Sequence, residues 1–408
     1  MLRKIFLCML LSLALGQATV CAQKAFKPVR AALKDKKYGD ALKSIETLRK
    51  DSVWKNNALL TVYSIEAYKG LNDAENTKLY LKKNYDTLSF FSTTLQIVQQ
   101  CVRLDSIERA NEGNDGKRKY RRLVADNITK YFHNVHAGAR FLYKRHKFAE
   151  SLPYLETCLD LPSSPVAQEA HFQEKGRSAN AALHLTAAFN AKQYDKVPRY
   201  VESALGDTAS RASIYRCLAL ASEATGDTVK MRSWLEQGWK ECPSTKFFFI
   251  HLADLFLKRN DYQSVLTLCH TQLMADSADV AALLAQCNAA FHLSDYALCI
   301  RSADALISVD SIGADAYYYK GASLTAQAQQ VVMPDNINSS AYKKAIQQRR
   351  NLALQAEPML ERYRELAPNE QKKWAPLLYH TYLILNRGKK FAEIDNLLQG
   401  VKPQWPQQ

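Results

Sequence analysis

The residues of this chain with reactive side chains form only fragments of known catalytic or metal-binding patterns. Ser340 and Lys343 spell S-x-x-K, a pattern of nucleophilic serines, but the K-T-G partner of that pattern does not occur in the sequence. His133 and His136 lie three residues apart and would share one face of a helix, yet two ligands make an incomplete metal site. Glycine-rich nucleotide loops, the G-x-S-x-G elbow and H-E-x-x-H are absent. The sequence therefore predicts a protein that is not an enzyme, with no catalytic residues, no cofactor and no metal.

A recurrent triplet is a candidate for covalent modification. An Asp followed by Ser or Thr and then by a small or aliphatic residue occurs seven times. The triplet resembles the acceptor of periplasmic O-glycosylation in some Gram-negative bacteria, which makes six hydroxyls candidate acceptors: Ser52, Thr87, Ser106, Thr208, Ser277 and Ser311. The seventh, Thr228, is expected to be too buried to serve. Asp, Ser and Thr also cap helices and occupy turns, so a purely structural role is the alternative.

The first residues of the chain are typical of an export signal. Arg3 and Lys4 precede an apolar stretch, residues 5–15, that is too short to span a bilayer. Val20 and Ala22 are small residues at the cleavage-site spacing, so residues 1–22 are interpreted as a signal peptide. The mature protein is expected in the periplasm. In the less favoured alternative Cys21 is lipid-anchored to the outer membrane, but Val20 stands where such a site prefers Gly, Ala or Ser.

The charge of the chain restricts its partners only weakly. The net charge is +15, and it becomes 15 − 2 = +13 without Arg3 and Lys4. A basic protein favours acidic partners, and peripheral contact with outer-membrane components stays open. Nucleic acid is not expected as a partner of an exported protein. The densest basic cluster, residues 117–122, is interpreted as a solvated loop and helix start.

The cysteines are expected to be packing residues. Seven of the nine remain after the signal, and an odd number argues against a complete disulfide framework. Cys269, Cys287 and Cys299 lie in periodic columns beside Ala and Val, where a free thiol behaves as a small core residue. A bridge between Cys217 and Cys242 stays open.

The elements that position these residues follow from a 34-residue period between residues 185 and 321. Small or apolar residues recur in four columns, which is typical of a stacked helical repeat. Those columns are Leu185, Ala219, Ala253, Cys287 and Gly321; Tyr194, Thr228, Tyr262 and Tyr296; Val197, Met231, Val265 and Cys299; and Val201, Leu235, Cys269 and Ala303. In each unit, apolar residues at three- and four-residue steps predict two helices joined by a polar turn.

These residues resemble the tetratricopeptide repeat family. The resemblance rests on the period, on the small column Ala219, Ala253, Cys287 and Gly321, and on the turn tyrosines Tyr194, Tyr262 and Tyr296. It covers residues 178–311 well and implies an all-α fold whose helix-turn-helix repeats stack into a right-handed superhelical solenoid. The implied organisation is 23–130 divergent repeats, 131–311 regular repeats, 312–400 C-terminal repeats with an insertion at about 327–348, and 401–408 a tail. The unit of Gly321 is expected to reach its second helix only near Ala356.

In that family the face formed by the first helices holds a partner peptide. The resemblance places nine residues on this face: Arg140, Tyr143, Arg216, Glu223, Asp254, Asn288, Phe291, His292 and Tyr318. It implies a non-catalytic protein–protein interaction scaffold of the cell envelope, with Phe291 and Tyr318 as anchors and Arg140 and Arg216 as contacts for acidic residues. The alternative is an outer-membrane accessory for glycan binding or uptake, and its cue would be exposed tryptophan at Trp54 or Trp374. The partner's identity and the oligomeric state are not predicted.

Overall fold

The computed structural model describes residues 24–111, 118–169 and 176–399. The described residues are 81% helical and contain no strand, so the all-α prediction is confirmed. The helices form two compact units, Met1–Trp234 and Leu235–Gln408. The proposed signal peptide and the tail at 401–408 lie outside the described residues. None of the helices in the described part of the chain is long and apolar enough to cross a membrane.

The first unit is a series of helical hairpins. Its elements are α1 (Lys27–Lys34), α2 (Tyr38–Arg49), α3 (Ala58–Tyr80), α4 (Thr87–Ala110), α5 (Arg121–Lys144), α6 (Phe148–Asp160), α7 (Pro165–Glu169), α8 (Arg177–Asn190), α9 (Val201–Leu205), α10 (Arg211–Ala224) and the first residues of α11 (Thr228–Glu241). Consecutive helices pack as pairs, α1 on α2, α3 on α4 and α5 on α6. In the next pair, a 3-10 turn at Tyr194–Tyr200 containing Pro198 precedes α9 and packs with it on α8. Proline lacks an N–H, so this second helix begins as a tighter turn.

The second unit repeats the same plan. It contains the end of α11 and then α12 (Lys246–Lys258), α13 (Tyr262–Ala275), α14 (Val280–His292), α15 (Tyr296–Val309), α16 (Ala314–Gln330), α17 (Ser340–Leu366), α18 (Gln371–Leu385) and α19 (Gly388–Gln399). Each first helix packs on its own second helix, and α12, α14 and α16 also pack on the first helix of the next hairpin. A single hairpin cannot cover its apolar face, so neighbouring hairpins bury one another's.

One turn geometry joins the helices of most hairpins. A residue with positive φ follows the first helix, at Lys36, Lys82, His146, Lys192, Gly226, Asn260, Ser294 and Asn386. In the turn after α14, Ser294 N donates to Phe291 O at 3.0 Å and Asp295 N donates to Ala290 O at 2.9 Å. This is the Schellman closure, which satisfies the last carbonyls of a helix. The second element begins two residues after that residue at Tyr194, Thr228, Tyr262 and Tyr296, which reproduces the 34-residue column.

A serine in this left-handed position carries strain that glycine would relieve. We expect Ser294→Gly to raise the free energy of unfolding by about 0.5–1 kcal/mol, because its φ of 59° places Cβ against the next carbonyl. Gly226→Ala, at a φ of 77°, is expected to lower the free energy of unfolding by about 1 kcal/mol. Urea denaturation of both variants measures the two changes. Equal midpoints for Ser294→Gly and the parent chain would show that the turn is unstrained.

The small column marks the points where the two helices of a hairpin cross. A Cβ on Gly321 would lie 2.6 Å from Cδ2 of Leu360 on α17. Ala253 and Cys287, at the same repeat position, are buried in the same way. Residues larger than Ala or Cys at these crossings would push the helices apart.

The predicted insertion is built mainly from lengthened helices. α16 continues to Gln330, residues 331–339 form the connection, and α17 begins at Ser340 instead of near Ala356. The side chain of Ser339 caps α17 by accepting a hydrogen bond from Tyr342 N at 3.0 Å. Polar residues at the start of α17 are mostly exposed, so they extend the helix without adding to the core.

One residue of the basic cluster, Arg118, is not solvated as the sequence predicted. Arg118 is buried, and its Nη1 lies 2.9 Å from Oδ1 of Asp105 in α4. Arg109 contacts the other oxygen of Asp105 at 2.7 Å. The cluster therefore contributes one arginine to an internal ion pair between α4 and the segment before α5, and Lys117 lies outside the described residues. Arg118 and Asp105 are 13 residues apart in sequence, so the charge pattern of residues 117–122 alone could not predict their contact.

Candidate functional site

The first helices of the second unit place an apolar column on one exposed face. Ile250 of α12, Leu284 of α14 and Tyr318 of α16 are spaced by 34 residues and occupy the same position in successive repeats. Ile250 is 47% exposed, and the other two side chains are half-buried. Aligned apolar side chains left in contact with solvent in a helical repeat are typical of a binding surface. Sequence reasoning identified Tyr318 and missed Ile250 and Leu284, although the period itself relates the three.

A cluster of rings lies beside this column. We call Phe291, Tyr296, Tyr318 and Tyr319 the aromatic cluster. The Phe291 ring centroid lies 5.8 Å from that of Tyr296, 6.4 Å from that of Tyr318 and 6.0 Å from that of Tyr319. All four side chains are half-buried, so the rings are held by packing and still present an edge to solvent. Rings held in this way supply contact area at a low cost in side-chain entropy.

Polar groups fix the orientation of the aromatic cluster. Asn288 Nδ2 donates to the hydroxyl oxygen of Tyr319 at 2.7 Å across the α14–α16 interface. Tyr318 packs against the buried ring of Tyr363 with centroids 5.1 Å apart, and the ammonium of Lys373 lies 6.0 Å from the Tyr318 ring. Burial raises the pKa of Tyr318 and of Tyr319, so both phenols keep their protons at neutral pH. The face is therefore aromatic, hydrogen-bonding and flanked by a cation.

The other predicted residues of the second unit lie near this face but have internal partners. His292 stacks on Tyr262 of the preceding hairpin, with centroids 4.6 Å apart and an interplanar angle of 8°. Asp254 is exposed and pairs with Lys258 at 2.7 Å within α12. The structure thus brings Asn288, Phe291 and Tyr318 together, whereas Asp254 and His292 form separate local contacts.

In the first unit the predicted residues form a charged and polar face. Arg140 of α5 is exposed, as are Arg216 and Glu223 of α10. Tyr143 is half-buried, and its hydroxyl lies 3.0 Å from Oγ1 of Thr186 on α8, so it also joins two hairpins. This surface differs in chemistry from the aromatic cluster of the second unit. It favours acidic groups over apolar ones.

The two histidines on α5 do not form a metal centre in the described residues. Nε2 of His136 is 2.9 Å from Oδ1 of Asn180, and His133 is exposed. Burial and the nearby Arg140 lower the pKa of His136. The described part of the chain contains no group of three or more His, Cys, Asp or Glu side chains placed to hold a metal ion.

A buried histidine lies at the interface of α6, α8 and the Tyr194–Tyr200 turn. His184 is fully buried, and neither ring nitrogen has a hydrogen-bond partner in the described residues. Its Nε2 lies 3.6 Å from Oε1 of Glu156, which is also 3.1 Å from Lys196 Nζ and 3.4 Å from Arg199 Nη1. The ring of Tyr200 packs edge-on at 4.7 Å. Desolvation by burial lowers the pKa of His184, and the neighbouring Lys196 and Arg199 add to that effect against the opposing Glu156 carboxylate.

His184 makes stability depend on pH. Because its pKa is lower in the folded chain than the unfolded value of 6.5, the unfolded state binds the proton more readily. Its contribution is present above pH 6.5 and is lost as the pH falls below that value, at no more than about 1.4 kcal/mol per pH unit. Thermal unfolding of the parent and of His184→Leu between pH 8 and 5 measures the difference. A parent and variant with the same pH slope would contradict a neutral buried His184, and His133→Leu is the exposed control.

Neither Trp54 nor Trp374 meets the cue for a glycan site. Trp374 is 4% exposed and packs in the core of the last hairpins, with Nε1 donating to Pro368 O at 3.3 Å. Trp54 is half-buried against Phe26, with ring centroids 5.1 Å apart. A sugar-binding site presents a flat aromatic face to solvent. The rings of Trp54 and Trp374 instead pack against other residues of the protein. These two positions therefore do not supply the exposed tryptophan that the alternative function would need.

The Asp-Ser/Thr triplets lie mostly at turns and helix starts. Five of the candidate hydroxyl residues are exposed and Thr87 is half-buried; the exposed ones are Ser52, Ser106, Thr208, Ser277 and Ser311. The aspartates also have structural roles: Asp86 caps α4 by accepting from Ser89 N at 3.0 Å, and Asp310 accepts from Gly313 N at 3.1 Å. Thr228 is exposed, so the expectation of its burial is wrong. Thr228 is the first residue of α11 and faces solvent. The tyrosines at the same repeat position in other hairpins are half-buried.

Comparison with known proteins gives distant structural similarity alone. No protein-family model matches the chain, and no curated protein matches it. The C-terminal part of a TPR repeat-containing protein from Cytophaga hutchinsonii is 12% identical, covers 66% of this chain and 96% of its own, and has a TM-score of 0.41. Yeast Tom70 is 13% identical, with coverages of 95% and 98% and a TM-score of 0.27. The description of the fold rests on the helix boundaries and turns given above.

Proposed function

We propose that this chain is a non-catalytic scaffold that binds a segment of a partner protein on the first-helix face of its second unit. The observation that carries the proposal is the apolar column of Ile250, Leu284 and Tyr318, left partly exposed beside the aromatic cluster. Tyrosine and phenylalanine are enriched at protein interfaces, and tyrosine is among the residues that contribute most to binding energy there.

The surroundings of this face define the chemistry of the partner segment. Half-buried rings and the aliphatic side chains of Ile250 and Leu284 fit apolar side chains at regular spacing, as an amphipathic helix or extended segment presents them. On the first unit, Arg140 and Arg216 would contact acidic residues of the same partner or of another.

We further propose that the protein acts in the cell envelope. The proposal is supported by residues 1–22, which have the basic start, apolar stretch and small residues of an export signal. Fractionation tests the location: a cleaved protein is expected in the soluble periplasmic fraction. Recovery with membranes would indicate acylation of Cys21, and recovery in the cytoplasm would contradict export.

Modification of the exposed triplets belongs to the same proposal. In an exported chain, Ser52, Thr208, Ser277 and Ser311 are candidate O-glycan acceptors, since each is exposed at a turn or next to one. Intact-mass analysis of the protein purified from its native envelope is expected to show added sugar masses. Peptides of unmodified mass at every triplet would contradict this part.

Substitutions on the face test the binding proposal. We expect Phe291→Ala together with Ile250→Glu to reduce affinity for the partner at least tenfold, because one change removes an anchor and the other places charge on the apolar column. The partner is first identified by a photo-crosslinking side chain at position 284 in intact envelopes, and affinity is then measured with the purified partner by calorimetry.

Met274→Ala is the matched control for that experiment. Met274 is an apolar side chain of the same unit, 78% exposed on the second helix α13 and away from the column. The control is expected to bind like the parent, and circular dichroism of all variants is expected to be unchanged. Unaltered affinity of the double variant would reject the face as the binding site.

A further inference from the structure

Two cysteines face each other at one helix crossing of the second unit. Cys287 lies on α14 and Cys299 on α15, and both are fully buried. The Sγ of Cys299 lies 3.3 Å from Cys287 O, and the Sγ of Cys287 lies 3.8 Å from Cys299 O. Each thiol thus points across the crossing at the backbone carbonyl of the other cysteine.

The repeat register shows that this pairing is specific to one hairpin. The residues at the same two positions are Leu185 and Val197, Ala219 and Met231, and Ala253 and Val265 in the other regular repeats. Those pairs contain no thiol. The crossing therefore needs only small or aliphatic side chains, and both positions carry cysteine in the α14–α15 hairpin alone.

We propose that Cys287 and Cys299 are a disulfide-forming pair that links α14 to α15 when the chain meets a disulfide oxidant. A hairpin crossing close enough for each sulfur to contact the other backbone suits the short separation that a disulfide requires. The residues are 12 apart in sequence, so the link closes a small local loop and needs no contact between distant hairpins. This inference is independent of the proposed binding function.

The reaction proceeds by thiol–disulfide exchange. The Cys299 thiolate attacks a sulfur of the oxidant, a small-molecule or protein disulfide, and one oxidant thiolate leaves. The Cys287 thiolate then attacks Sγ of Cys299 in the mixed disulfide, and the second oxidant thiolate leaves. The pair loses two protons and two electrons, and the oxidant disulfide becomes two thiols. The same balance holds if Cys287 makes the first attack.

Access to the buried pair comes during folding or local opening of the hairpin. The experiment therefore uses the full-length protein both folded and refolded from urea, in buffers of reduced and oxidised glutathione. Samples are quenched with acid, alkylated with N-ethylmaleimide under denaturing conditions and mapped by mass spectrometry. The expected product in oxidising buffer joins the peptides of Cys287 and Cys299 with the loss of two hydrogens, and two fewer maleimides add per chain.

Two variants make the result specific. Cys287→Ala is expected to abolish the linked peptide, and alanine occupies the same column in other repeats, so the hairpin should still fold. Cys269→Ser is expected to retain the link. Full alkylation of both thiols after refolding in the most oxidising buffer would overturn the proposal, and so would a linked peptide that joins Cys299 to Cys269.

Discussion

Replacing Asp105 with asparagine is expected to lower the free energy of unfolding by about 3–5 kcal/mol. The carboxylate is buried and contacts Arg109 Nε at 2.7 Å and Arg118 Nη1 at 2.9 Å. The Arg118 side chain is only 6% exposed, so the substitution removes a carboxylate charge that a buried guanidinium contacts directly. Removing one partner of a buried ion pair costs far more than the net value of the pair.

An exposed pair of the same kind is the control. Asp40 lies 3.7 Å from Lys43, and these side chains are 64% and 82% exposed. Asp40→Asn is expected to change stability by less than about 1 kcal/mol, since solvent screens that pair. Urea denaturation followed by circular dichroism measures both variants. Similar effects at Asp105 and Asp40 would mean that Arg118 reaches water in solution.

Truncating Leu360 to alanine is expected to lower the free energy of unfolding of the second unit by about 2–5 kcal/mol. Leu360 of α17 is fully buried in a cluster with Tyr363, Trp374 and Leu378. Its side chain fills the space opposite Gly321, where the glycine has no Cβ to replace the lost atoms. The truncation therefore leaves a cavity where α16 crosses α17 at Gly321.

Leu354→Ala, on the same helix, is the matched control. Leu354 is 44% exposed, so its truncation is expected to change the free energy of unfolding by less than about 0.5 kcal/mol. The fluorescence of Trp374, which packs in the same cluster, follows unfolding of this region. Gly321→Ala added to Leu360→Ala is expected to restore part of the loss, because the clash with Cδ2 is then absent. An additive or worse double variant would contradict the packing described.

The 34-residue columns predicted the repeating part of the fold because local features fix it. The small residues set the helix crossings, and a short polar segment sets each Schellman turn, so helix starts such as Tyr262 and Tyr296 could be predicted from sequence alone. The sequence predicted an insertion at about 327–348 without its structure, and most of its polar residues lie on the exposed sides of α16 and α17. A long exposed helix and a polar loop share the same composition.

Contacts between distant residues were the part that sequence could not supply. Arginine is mostly exposed in folded proteins, and only the neighbours of Arg118 in the folded unit show that its side chain is buried. Tryptophan occurs both in cores and at surfaces, so the burial of Trp374 also depends on its neighbours. Only part of the candidate face could be predicted from the sequence. Phe291 and Tyr318 follow from the repeat register, whereas the contact of Tyr319 with Asn288 depends on how α16 rotates against α14.

The recurring turns have a consequence for how the chain gains and loses its structure. Each turn is closed by hydrogen bonds between residues only a few positions apart, so a hairpin can form before the rest of the chain is complete. Stability in such a series of hairpins is shared between adjacent repeats of one unit. Proteolysis that opens one hairpin should therefore expose its neighbours in the same unit next, so fragments are expected to end at the turns between helical pairs.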